Sequence, residues 1–60
     1  MNGKQVAEIL RKNDWVLDRI SGSHHIYIKN GKICPIPIHG KKDLAAGTLA
    51  KIRRITGLKI

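Results

Sequence analysis

Apolar residues along this chain of 60 residues recur first at helical spacing, then at strand spacing, and finally at helical spacing again. Val6, Ile9 and Leu10 follow Asn2, which stands three residues before Gln5 in the arrangement of a capping box, so residues 3–12 are predicted as a helix. Arg11 and Lys12 place cations in its last turn, at the negative end of the helix dipole, and Asn13-Asp14 supplies residues that tolerate a left-handed turn. Trp15-Val16-Leu17 opens a strand reaching Ile20, Ser21-Gly22-Ser23 breaks it as a corner, and a second strand runs from His24 to Lys29. Asn30-Gly31 is the strongest hairpin signal in the chain. After the third strand, residues 39–47 read as a connector, and Thr48 is expected to cap a second helix with Leu49, Ile52 and Ile55 as its buried stripe and Gly57 at its left-handed end. Leu58 and Ile60 are expected to fold back on the core.

The hairpin admits two registers. A two-residue turn places His24, Ile26 and Ile28 on the same face as Ile33, Pro35 and Pro37; a three-residue loop with Gly31 in a bulge aligns them with Cys34, Ile36 and Ile38. The second gives the cleaner apolar face and is the one expected. In either, His24 and His25 point to opposite sides, and Pro35 and Pro37, lacking an amide proton, mark the third strand as an edge. The predicted fold is α+β, a single domain over residues 1–60, ordered helix, three antiparallel strands, helix, with both helices on one sheet face. The predicted core is Val6, Leu10, Leu17, Ile26, Ile36, Leu49, Ile52 and Ile55.

Twelve Lys and Arg against four Asp and Glu give a formal charge of +8, a large excess for so small a surface and the mark of a polyanionic partner, nucleic acid being the commonest. Lys41, Lys42, Lys51, Arg53 and Arg54 concentrate in the connector and second helix without matching carboxylates, so salt-bridge lacing does not account for them and a phosphate-binding surface does. Trp15 and Tyr27 are the only aromatics, too few for a base-stacking sheet; Trp15 reads as core, and Tyr27 either as a half-buried strand residue or as a base-stacking one. Cys34 is single, so it makes no internal disulfide and reads as a buried thiol in a reducing compartment. Neither a membrane span nor a signal peptide is visible, and a cytoplasmic location is expected.

His24 and His25 carry the only obvious proton-transfer chemistry near neutral pH. Alone, such a pair is more often a satisfied structural element than a catalytic one. A metal site built from His24, His25 and His39 is disfavoured, because zinc needs three or four converging ligands and adjacent strand residues diverge. His39 instead ends the third strand, placed to meet a phosphate or orient a neighbour.

In order and spacing, Trp15, Gly22-Ser23-His24, Ile36-Pro37-Ile38-His39, Lys42-Asp43-Leu44, Gly47-Thr48-Leu49 and Ile52-Arg53 through Gly57-Leu58 resemble the HicA toxins of bacterial and archaeal toxin–antitoxin pairs, over nearly the whole length. The resemblance implies a fold like a double-stranded-RNA-binding domain, mRNA cleavage as an endoribonuclease, and neutralisation by a HicB-type antitoxin. It places the catalytic histidine after the Gly-Ser pair, at His24, and leaves His25 auxiliary. Cleavage is expected to need no metal or other cofactor. One departure is Asp14, where the family usually has glycine, at a cost on the order of 1 kcal/mol. The alternative function is a non-catalytic RNA-binding module on the same fold; a third is a small basic protein whose main role is to bind an acidic one.

Overall fold

Asn2 and Gln5 satisfy each other's backbone at the start of the first helix: Gln5 N–H donates to Asn2 Oδ1 at 2.9 Å and Asn2 N–H to Gln5 Oε1 at 2.8 Å. The computed structural model describes residues 1–60, and in it α1 spans Gly3–Lys12, as the capping box predicts. Gly3 is buried, and a Cβ built there would overlap the carbonyl oxygen of Pro37, so the helix enters the fold at a point only glycine allows. Past the helix, Asp14 adopts the left-handed conformation at φ 68°, the turn expected of Asn13-Asp14.

Three strands follow, β1 (Val16–Ser21), β2 (His24–Lys29) and β3 (Lys32–Pro37), antiparallel in the order β1-β2-β3, and α2 (Ala46–Thr56) closes the chain. This is the predicted α-β-β-β-α arrangement. Asn30 and Gly31 form a two-residue turn with φ 49° and 79°, flanked by the Lys29–Lys32 pair. The three-residue register is therefore overturned. Its apolar face was cleaner, but it would have aimed the missing amide protons of Pro35 and Pro37 at β2, removing two ladder bonds. With Lys29–Lys32 as a hydrogen-bonded pair, alternation makes Ile26–Pro35 and His24–Pro37 non-hydrogen-bonded, and no bond is lost. Ile38 N–H donating to Ser23 O at 2.8 Å continues the same alternation.

The register sends Tyr27, Cys34 and Ile36 toward the helices, where they join Val6, Ala7, Leu10, Trp15 and Ile52 in one buried cluster. Leu49, Ile55, Leu58 and Ile60 pack against it while remaining partly exposed. One core assignment fails. Leu17 is 40% exposed, on an edge strand that meets α1 but is covered less than the other edge strand, β3. Ile26 is buried as predicted, although on the opposite face, between Arg19 and Pro35, and outside the main cluster. That opposite face is open around Val16 and Ile33, which are 61% and 56% exposed. In β1 a bulge between Leu17 and Arg19 leaves Asp18 unpaired with β2, where it forms an ion pair with Arg19 at 2.7 Å.

The connector is stitched to the chain start: Leu44 N–H donates to Met1 O at 2.9 Å, and the terminal ammonium of Met1 lies 3.4 Å from Asp43. Thr48 is not the cap of α2. The helix begins three residues earlier, at Ala46 behind Ala45, which supplies no side-chain cap, and Thr48 lies within the first turn. Gly57 ends it at φ 73°, as expected. No helix is long and apolar enough to cross a membrane.

Candidate functional site

Gly22-Ser23 joins β1 to β2 through two residues, with Ser21 and His24 paired on either side. Gly22 has φ 60° and Ser23 does not share the positive φ, the pattern of a type II′ turn, which needs glycine at its first central position and matches the twist of the strands. His24 is consequently the first residue of the central strand, exposed, with Ser21 on one side and Pro37 on the other.

Beside it a cleft of about 280 Å³ runs along β3. His24, Pro35 and Pro37 form the sheet side, and Thr48, Lys51 and Ile55 of α2 the other. The last three recur at i, i+3 and i+7, one side of a helix. No carboxylate lines this cleft. Lys51 is close enough to β3 to act on Cys34: burial pushes the Cys34 thiol up to about 11, and the positive charge of Lys51 partly opposes that. Such a thiol stays protonated and inert at neutral pH.

His25 is separated from this site. It faces the helix side opposite Ile36, half-buried in a groove shared with Lys4, Glu8, Tyr27 and Ile38. Tyr27 is itself buried, which leaves its ring in the core and not on a base. His39 lies exposed in the connector, where its carbonyl accepts from Lys42 N–H at 3.1 Å. No group of three His, Cys, Asp or Glu side chains converges anywhere in the chain.

The five basic residues predicted to meet RNA divide in space. Lys51 lines the His24 cleft, and Arg54, three residues on, shares its side of α2. Lys41 and Lys42 sit exposed on the connector that leaves β3 beyond Pro37, the end of the sheet at which His24 stands. Arg53 is directed elsewhere, its Nε–H donating to the carbonyl of Ile60. Sequence reasoning did not place Thr48, Pro35 and Pro37 in the site. The signals were present in the helical spacing of Thr48 and Lys51 and in the side-chain parity of the two-residue hairpin.

A model of the family described as HicA toxin of bacterial toxin-antitoxin matches residues 3–58. Against the curated proteins the chain has no match.

Proposed function

This chain belongs to the HicA toxin family, and from that premise we propose that it is an mRNA-cleaving endoribonuclease that uses His24 for proton transfer, needs no metal, and is silenced by a HicB-type antitoxin in the cytoplasm. The observation that supports it best is the facing of His24 and Lys51 across one cleft free of carboxylates. A neutral imidazole at His24 would take the proton of an RNA 2′-hydroxyl as its oxygen attacks the adjacent phosphorus; alternatively a protonated one would give its proton to the departing 5′-oxygen. Either role contributes about 10²–10⁴-fold. The ammonium of Lys51 would hold the phosphate and offset the negative charge that builds on its oxygens. Lys41, Lys42 and Arg54 extend the positive surface along the backbone of the RNA, and His25, on the other face, supports the strand without entering the reaction.

The test is incubation of the purified protein with RNA in the presence of a chelator, beside a His24→Ala form. Cleavage that persists in chelator and disappears with His24 is the expected result. Cleavage lost in chelator would overturn the metal-free mechanism, and equal activity of the two forms would overturn the assignment of His24.

A further inference from the structure

We infer that the cleft between β3 and α2 is a subsite for a single unpaired nucleotide, so that the protein engages single-stranded RNA although its fold resembles that of duplex-binding domains. The inference deepens the nuclease reading above and rests on it for the identity of the polymer. Its first support is parity. His24 and Pro37 are directly opposed in a non-hydrogen-bonded pair, the pair type with the closest side chains, and Pro35 is two residues along on the same face. An imidazole thus borders two saturated rings, with Ile55 completing the apolar wall from α2.

The polar groups of this cleft are few and chemically distinct. His24 offers a proton acceptor or donor, Lys51 a cation, and Thr48 a hydroxyl that both donates and accepts. A nucleotide has the matching parts, with a flat apolar base, a hydroxylated sugar and an anionic phosphate. An extended peptide does not fit as well, because it would bind this edge by strand addition, and Pro35 and Pro37 present no amide protons to it. Size narrows the choice further. About 280 Å³ lies just under the range of roughly 300–1,000 Å³ for drug-sized ligands, enough for one nucleotide and too little for a base pair. A base held here has left its helical stack, which a single strand permits at least cost. Since Trp15 and Tyr27 are buried, the base meets proline, isoleucine and the His24 imidazole, and the single hydroxyl of Thr48 discriminates weakly among the four bases.

Binding of fluorescently labelled RNA carrying 2′-fluoro sugars, which lack the attacking hydroxyl, to the unaltered protein tests this, with one sequence presented as a single strand and as a duplex with its complement at the same salt. The single strand should bind about tenfold more tightly. Adding Pro35→Ala or Thr48→Val to that background should weaken single-strand binding about 3- to 10-fold and leave duplex binding and the melting temperature unchanged. Equal affinity for the two RNAs, or substitutions that change neither or both alike, would overturn the subsite. Cleavage by the unaltered protein separates the two readings. If it cuts strand and duplex at equal rates, the nuclease stands and the subsite falls; if it cuts neither while the binding preference holds, the subsite stands and the nuclease reading falls.

Discussion

Pro37 stands directly across the β2–β3 ladder from His24, and its carbonyl oxygen abuts the backbone of Gly3 at the start of α1. One residue thus touches both the proposed reactive side chain and the first turn of the N-terminal helix. Whatever shifts Pro37 shifts the wall beside His24.

Gly3→Ala is accordingly expected to destabilise the fold, although alanine is ordinarily the better helix residue by about 1 kcal/mol. The new methyl would meet the backbone of β3 and not the movable end of a side chain, and such overpacking costs roughly 1–3 kcal/mol. Chemical denaturation checks the sign: a Gly3→Ala protein as stable as its parent would mean that α1 can slide away from Pro37.

The two histidines should separate in function as they do in space. His24→Ala is expected to lower RNA cleavage by about 10² or more, while His25→Ala, altering the helix-side groove, should act mainly on stability. Cleavage rates measured beside thermal melts distinguish the two effects, and an inactive but fully stable His25→Ala protein would reverse the assignment.

RNA affinity should fall as salt rises. For single strands the slope of log affinity against log salt is about 0.7 per phosphate contact, so Lys41→Ala with Lys42→Ala should flatten it by roughly 1.4 if both touch phosphate. A titration of binding by the His24→Ala protein, with and without that pair, gives the number directly. An unchanged slope would leave the two connector lysines as solvated surface.

Cys34 sets an alkaline limit. Its thiol is pushed up to about 11 in the fold against 9.0 for the unperturbed group, so folding favours the protonated form. The contribution is complete below pH 9 and is lost as pH rises from there toward 11, an effect on the order of 2 kcal/mol. Other groups titrate in this range, so the measurement is the difference in stability between the protein and Cys34→Val, followed through that window. A difference constant with pH would show that the thiol ionises as freely folded as unfolded.

Local chemistry made most of the architecture legible in the chain. The Asn2–Gln5 box, Asn30-Gly31 and Gly57 each act within a few residues, and each does in the structure what its residue type implies. The errors came where a decision depended on partners far along the chain. Apolar residues occupy both faces of β2 and β3, so hydrophobic pattern did not separate the two registers, whereas the absent donors of Pro35 and Pro37 did. Thr48 resembled a cap because its hydroxyl is suited to one; the helix instead begins behind Ala45, which turns Thr48 into a wall of the cleft. The proposal for His24 came from the resemblance at its Gly-Ser corner, whereas the approach of Lys51 from another element needed the packed fold.

The open part of that sheet face gives the charge of +8 a second consequence. Val16 and Ile33 leave a water-exposed apolar surface on a molecule with little core beneath it, and like charge is what holds two such surfaces apart. Salt shortens the reach of that repulsion from about 10 Å at 0.1 M to about 3 Å at 1 M. The concentrated salt expected to weaken RNA binding therefore also brings copies of the protein within reach of one another, and colloidal stability is set by the same twelve cations proposed to meet the RNA.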